Sequence, residues 1–288
     1  MMELTDYDTI RDVLARHGFH FSKSLGQNFL TAAWVPERIA EEAGLDEDTG
    51  VLEIGPGIGC LTAELSRRAG KVLAVELDRK LMPVLEETLS GCGNTEVLFG
   101  DVLKQDLPAL AREYFPGMRA VVCANLPYNV TGPVLTRLLE AECFETVTVM
   151  VQREVARRIC ADPGTPEYSA FTVLCAWHCR REILFDVGPE CFVPQPRVTS
   201  SVICLTRLAE RPARVTDEAL FFRVVRAAFG QRRKTLENAL AAGFPELPKA
   251  ALADAVRQSG TCPGIRGEML GINDFAQISD CIRGVLRR

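Results

Sequence analysis

A doubly wound α/β domain followed by a small C-terminal all-helical domain is the fold class this sequence predicts, and three observations predict it. Five short apolar runs recur between residues 51 and 152. Helix-length segments with apolar residues at helical spacing separate them, and beyond residue 207 only helical periodicity remains. The expected division is residues 1–206 for the α/β domain with an N-terminal helical extension, and 207–288 for the helical domain. A chain of 288 residues with 47% hydrophobic and 25% charged residues can bury a sizeable core.

The elements follow in order. After a helical N-terminal stretch and the loop FSKSLGQNFL come VLEIG from Val51, KVLAVEL from Lys71, TEVLFGD from Thr95, AVVCANL from Ala120 and TVTVMVQ from Thr146. These runs are rich in Val, Ile and Leu and do not alternate with polar residues, as central strands covered on both faces require. LTAELSRRAG, RKLMPVLEETLS, LPALAREYF and TGPVLTRLLEAE supply the helices between them, with Pro133 in a first turn where a missing amide hydrogen costs nothing. FTVLCAWHCR reads as one apolar helix with small core thiols, so Cys175, His178 and Cys179 are not expected to form a zinc site. REILFDV and SSVICLTRL, joined by GPECFVPQPRVT, predict an antiparallel hairpin that closes the sheet. The linker RLAERPARVTDE then leads to four helices in ALFFRVVRAAF, KTLENAL, PKAALADAVRQ and NDFAQISDCIRGVL.

Composition excludes several classes. No run of about 18 uncharged apolar residues occurs, and MMELTDYDTIRDVLARHG alternates acids with bases, unlike a secretory leader. Eleven cysteines without a CxxC fit reduced thiols, so the expected location is the cytoplasm, with no membrane partner. Only His17, His20 and His178 are available to a histidine-dependent hydrolase. The net charge is −5, but residues 207–288 carry 14 bases against 9 acids while residues 1–206 carry 19 against 29. Opposite signs suit a small-molecule site in one part and a polyanion surface in the other.

The first strand runs into Gly55-Pro56-Gly57-Ile58-Gly59, whose glycines let a ligand approach the backbone at a helix start. Cys60 stands where a dinucleotide fingerprint wants its last glycine, and no Gly-Lys-Ser/Thr follows, so both phosphate-binding readings lose ground. Glu76 ends the second strand, where a carboxylate can accept from both ribose hydroxyls, and Asp101 ends the third. Adenosine without phosphate, joined to a cation, fits this acidic rim; S-adenosylmethionine is the expected cofactor.

The fourth strand ends in Asn125-Leu126-Pro127-Tyr128. An exocyclic base amine is a poor nucleophile because its lone pair is delocalised into the ring. A side-chain amide oxygen and a backbone carbonyl can hold its hydrogens, a following proline fixes the backbone, and an aromatic ring can stack on an extruded base. The chemistry expected is methyl transfer by positioning and dipoles, with no histidine base. No metal is expected, since displacement at a sulfonium methyl needs alignment rather than a Lewis acid.

Through LGQNFL, LEIGPGIGCLT, AVELDRKL, GDVLKQDL, NLPYNVTGPVL, MVQREVARRI, ADPGTPEYSA, FVPQPRVTSSV and AFGQRRKTLENAL, the chain resembles the small-subunit ribosomal RNA adenine dimethyltransferases of the KsgA/RsmA type. The resemblance implies a class I (Rossmann-like) methyltransferase domain and dimethylation of two adjacent adenosines in the 3′-terminal hairpin loop of 16S rRNA, late in small-subunit assembly. It implies cofactor contacts by Asn28, Leu30, Gly55, Gly57, Glu76, Asp101 and Asn125, with Asp101 on the adenine amine. The Asn125 side chain and the Leu126 carbonyl would hold the target amine, and Tyr128 and Phe192 would stack on the base. Phe192 reads equally well as a core aromatic from the residues alone, although Pro194 and Pro196 favour a rigid loop presenting it.

Arg223, Arg226, Arg232, Arg233 and Lys234 lie in an acid-free stretch suited to phosphate contacts, and Arg153, Arg157 and Arg158 form a second basic cluster. The expected partner is 16S rRNA in the assembling small subunit, bound by a monomer. Ser169 and Thr199 depart from the family, which commonly has glycine and an acid at these places. Two rival functions share this fold. One is the related large-subunit rRNA methyltransferase that confers macrolide resistance, against which AFGQRRKTLENAL argues. The other is a binding-only assembly checkpoint or mitochondrial-type transcription factor, which would not need Glu76, Asp101 and NLPY.

Overall fold

The computed structural model describes residues 2–19 and 26–287, so His20 and Leu25 of the motifs above lie outside the described residues. The chain divides into two compact units, one running to Ala156 and resuming over Arg181–Arg207, the other formed by Arg157–Arg180 and everything from Leu208 onward.

In the first unit, helices α1 (Tyr7–Arg16) and α2 (Trp34–Glu42) flank a two-residue strand β1 (Phe29–Leu30). The predicted alternation then unfolds as β2 (Thr49–Ile54), α3 (Cys60–Ser66), β3 (Lys71–Glu76), α4 (Met82–Thr88), β4 (Thr95–Phe99), α5 (Leu107–Tyr114), β5 (Arg119–Asn125), α6 (Thr131–Ala141) and β6 (Thr146–Gln152), and a helix not expected from the sequence, α7 (Arg153–Ile159), runs across the division at Ala156. Every residue of β2 is buried, whereas β4, at the sheet edge, is only half-buried. This is why the VLEIG run shows no polar alternation: β2 is covered on both faces, with apolar partners Val51, Leu61, Leu65, Val72 and Val121 in one cluster. Asp106 caps α5 by accepting from the Ala109 amide at 3.0 Å, and Leu107 and Pro108 open the helix.

The remaining elements are α8 (Ala170–His178), β7 (Cys179–Val187), β8 (Phe192–Val193), β9 (Ser200–Arg207), α9 (Glu218–Gly230), α10 (Leu236–Gly243), α11 (Lys249–Gln258) and α12 (Ile272–Leu286). The seven-stranded sheet has the order β4-β3-β2-β5-β6-β9-β7, with β2 to β6 parallel and β9 antiparallel to β6. The later strand of the expected hairpin, β9, therefore lies inside the sheet, and β7 takes the edge. β1 and β8 pair separately, Leu30 opposite Phe192.

The second unit has its own core, in which Trp177 of α8 meets Phe221 of α9 with ring centroids 4.4 Å apart. Its helical part thus includes residues 157–180 as well as the stretch beyond 207. Ser169 caps α8: its hydroxyl accepts from Thr172 N at 3.3 Å, and its own amide donates to Thr172 Oγ1 at 3.0 Å. Cys175 and His178 lie buried on α8, which ends at His178, and Cys179 begins β7.

Candidate active site

Parallel strands bring their carboxyl ends to one edge, so the sheet order by itself sets Asp101, Glu76, Gly55 and Asn125 side by side. The ladder continues into these loops: Gly55 N donates to Val75 O at 2.9 Å, Gly100 N to Glu76 O at 2.8 Å and Leu126 N to Met150 O at 3.2 Å. Above this edge lies a cleft with about 1150 Å³ of space, its open mouth included. Its walls contain Asn28, Leu30, Gly55, Gly57, Glu76, Asp101, Asn125, Leu126, Pro127 and Tyr128, so ten of the eleven residues expected at the cofactor and target base meet in one place.

Gly55, Gly57 and Gly59 have φ of +69°, +61° and +91°, a left-handed backbone that favours glycine. At Gly57 a side chain is also opposed sterically, since a Cβ would lie 3.1 Å from the Phe29 ring; at Gly59 it would lie 2.8 Å from Leu89. Close approach of a ligand to this backbone therefore rests on both conformation and packing. Glu76 is 6% exposed, and one carboxylate oxygen accepts from Asp78 N at 2.7 Å. Burial raises its pKa above the usual carboxylate value. Asp101 caps a short 3-10 turn by accepting from Leu103 N at 3.0 Å.

Asn28 acts through its backbone as well as its side chain. Its Nδ2 donates to Gly26 O at 3.0 Å, closing the turn, while its carbonyl accepts from Asn125 Nδ2 at 3.3 Å. A carbonyl can only accept, so this contact turns the NH₂ of Asn125 toward Asn28 and leaves Oδ1 as the atom that can receive a donor. Leu30 is 1% exposed and its side chain belongs to the core, so its main chain is what can meet a ligand. Tyr128 is held at its far end by Ser200 of β9, Oη to Oγ 2.6 Å. Burial raises the pKa of the phenol above its ordinary value, and the ring stays neutral.

Phe192 departs from the expectation. Its side chain is 2% exposed, packs in the same core cluster as Leu30 and does not line the cleft. The physical reason is the β1–β8 pairing, which sets Phe192 directly opposite Leu30, in whose core cluster it is covered. Of the two readings the residues left open for Phe192, the structure shows the covered core aromatic.

The basic residues separate. Arg232 is tied to Glu268 Oε2 at 3.2 Å and donates to Pro166 O at 2.8 Å. Arg223 is tied to Glu246 at 2.7 Å and stacks on Phe244. Arg226, Arg233, Lys234, Arg157 and Arg158 are exposed, and exposed Arg153 lies 3.9 Å from Asp186.

Sequence reasoning missed Glu53, two residues before the glycine turn. It lines the cleft, is 1% exposed, and its Oε2 has no hydrogen-bond partner among the described residues. The acid inside an otherwise apolar strand was the available signal. Burial, with the nearby Glu76 charge adding to it, pushes its pKa up to about 8, so the side chain is neutral at pH 7 in the free protein.

The donor set suits S-adenosylmethionine. Three carboxyl groups face a cleft in which no described lining residue is Lys, Arg or His. That suits a ligand carrying sulfonium and ammonium cations and no phosphate. A cationic ligand favours the ionised form of Glu53, so binding at pH 7 is expected to release up to one proton per site. Calorimetry in two buffers of different ionisation enthalpy measures this, and Glu53→Gln should remove the release. In the ligand-free protein the sign is opposite for stability: the raised pKa stabilises the fold fully below about pH 4.5, and that contribution is lost as pH rises toward 8.

Comparison with known proteins places the chain in a family. The family model described as "Ribosomal RNA adenine dimethylase" matches residues 18–260. Ribosomal RNA small subunit methyltransferase A of Shouchella clausii is 45% identical over 280 residues, 96% of this chain and 94% of that protein. Among solved structures, a dimethyladenosine transferase from Plasmodium falciparum aligns with a TM-score of 0.72 at 25% identity, covering 86% of this chain and 95% of that one. The 23S rRNA methyltransferase ErmE aligns with a TM-score of 0.68 at 29% identity, covering 88% and 99%.

Proposed function

The chain belongs to the ribosomal RNA adenine dimethylase family, and from that premise we propose how its residues carry out the family's reaction. It is an S-adenosylmethionine-dependent rRNA adenine-N6,N6-dimethyltransferase that modifies two adjacent adenosines in the 3′-terminal hairpin loop of 16S rRNA. The single observation that carries the assignment of roles is the shared cleft: NLPY and the glycine turn with Glu76 open onto the same space.

When bound, S-adenosylmethionine supplies an electrophilic methyl group on its sulfonium. Glu76 would accept from the ribose hydroxyls and Asp101 from the adenine amine, with the Gly55–Gly57 backbone forming part of the cofactor's cradle. On the other side, Asn125 Oδ1 and the Leu126 carbonyl accept the hydrogens of the target amine. Two acceptors placed off the base plane favour a pyramidal nitrogen, restoring the lone pair that resonance withdraws. Pro127 limits the backbone freedom of the Leu126 carbonyl. It also sits against the glycine turn, since a Cβ on Gly55 would meet Pro127 Cδ at 3.9 Å. Tyr128 offers its neutral ring to the extruded base. No described cleft residue is a histidine, and the amine's proton leaves to solvent after transfer.

The enzyme works as a monomer in the cytoplasm on the assembling small subunit. No helix among the described residues is long and apolar enough to cross a membrane. The resemblance to ErmE makes large-subunit rRNA the alternative substrate to exclude. Incubation with labelled S-adenosylmethionine and unmodified small or large subunits, followed by mapping, decides between them. Label on the two adjacent 3′-hairpin adenosines is the expected result, and label confined to large-subunit rRNA would overturn it.

A further inference from the structure

The second unit carries a groove that the basic motif in the sequence does not reveal. It lies along α9 and α12, which pack against each other, a shallow concavity with about 860 Å³ of space, the open solvent at its mouth included. Arg223 and Arg226 reach it from α9, Arg283 and Arg287 from the end of α12, with Asp217 and the 41% exposed Leu286 among the other walls. Spacings of three and four residues put each arginine pair on one face of its helix.

The four are not equivalent. Arg223 is committed to Glu246 and to the Gly243 carbonyl, and its guanidinium lies 4.1 Å from the centre of the Phe244 ring. Arg226, Arg283 and Arg287 form no ion pair with any described residue. Asp217, the one acid in the lining, already accepts from Leu220 N at 2.9 Å as the cap of α9. Several other arginines of the same unit are paired, Arg232 and Arg266 with Glu268, Arg257 with Asp254 and Arg211 with Glu218, while Arg157, Arg158, Arg214 and Arg233 line no such groove. Three unpaired guanidinium groups around one concavity repel each other unless an anion enters, and their planar donor forks match phosphate oxygens.

We propose that this groove binds the phosphate backbone of ribosomal RNA, with Arg226, Arg283 and Arg287 as the contacting cations and Arg223 as part of its wall. The proposal rests on the rRNA substrate assigned above and adds where the polyanion is held. Charge favours RNA as the occupant: residues 207–288 are net +5 in a chain that is net −5 overall. An elongated polyanion can follow such a groove, and each arginine can take a phosphate without regard to base sequence. The groove draws Arg283 from the last turn of α12 and Arg287 from its C-cap, neither of which the QRRKT segment includes.

The test compares the full-length protein with the triple variant Arg226→Gln, Arg283→Gln, Arg287→Gln, binding unmodified small subunits and protein-free 16S rRNA between about 50 and 200 mM salt. Wild-type melting and S-adenosylmethionine affinity in the variant establish that the fold is intact. The single variant Arg226→Gln gives a second measurement if the triple one is unstable. The expected result is roughly tenfold or greater weakening on both RNAs, and a log–log salt slope shallower by about 2–3, near 0.9 per lost phosphate contact. Arg257→Gln, which breaks a paired arginine of the same unit, should keep the wild-type slope. An unchanged slope in the triple variant would overturn the groove while leaving the methylation assignment standing. Weakening on intact subunits but not on protein-free rRNA would also overturn it, pointing to an acidic protein surface. Failure of the wild-type protein to bind or methylate subunits at all would sink the substrate assignment together with the groove.

Discussion

Asn125→Ala is expected to reduce methyl transfer by roughly a hundredfold to a thousandfold at saturating subunit and cofactor, the scale seen when one preorganised polar group is removed from a transition state. The substitution deletes the acceptor Oδ1 that would hold the target amine, and it frees the Asn28 carbonyl from its 3.3 Å contact. The first loss acts on kcat; the second loosens the turn at Gly26–Asn28 and raises the cofactor KM. Single-turnover transfer measured with cofactor titration separates the two. Affinity for small subunits should stay within about twofold of wild type, since phosphate contacts supply most of it. Unchanged single-turnover transfer would remove Asn125 from the chemistry.

Tyr128 should show two distinct losses. Tyr128→Ala removes the whole ring from the cleft, and stacking of a base on an aromatic side chain contributes about 1–3 kcal/mol, so transfer should fall on the order of tenfold to hundredfold. Tyr128→Phe keeps the ring but cuts the 2.6 Å bond to Ser200. Its expected loss is roughly threefold to tenfold, the worth of one partly buried hydrogen bond. Ser200→Ala should resemble Tyr128→Phe, and the double variant should be no worse than either single one, because all three remove the same contact. Additive losses in that cycle would show that the bond does not position the ring. The raised phenol pKa predicts no pH dependence from Tyr128 between pH 6 and 9.

The cofactor half of the cleft was readable in the chain because its information is local. Each parallel strand ends where its apolar run ends, and the residue that follows is automatically at the common edge. Glycines after β2, Glu76 at the end of β3, Asp101 after β4 and NLPY after β5 therefore converge without any further contact being known. Glu53 escaped notice because an acid inside an apolar strand says nothing about the face it occupies until the helix covering it is placed. Phe192 was ambiguous for a similar reason: its surroundings come from Leu30, far away in the chain, and the pairing of β1 with β8 decides that it is covered.

The basic segments show the same division at larger scale. Composition identified residues 207–288 as the cationic part, but which arginines remain unpaired depends on the acids that other elements bring to them. Glu268 occupies Arg232 and Glu246 occupies Arg223, while Arg283 and Arg287, remote in sequence, join Arg226 at one groove.

The sequence by itself determined the alternation of strands and helices, the glycine turn, the carboxylates at the strand ends and the amide at the end of β5. Those follow from residue periodicity and from where each strand stops. Tertiary structure alone decided that β9 enters the sheet beside β6, that Ser200 braces Tyr128, that Phe192 is covered and that residues 157–180 belong to the helical unit. Each of these is a contact between segments far apart in the chain, chosen by which buried surfaces and polar partners fit together, and local sequence pattern carries no record of that choice.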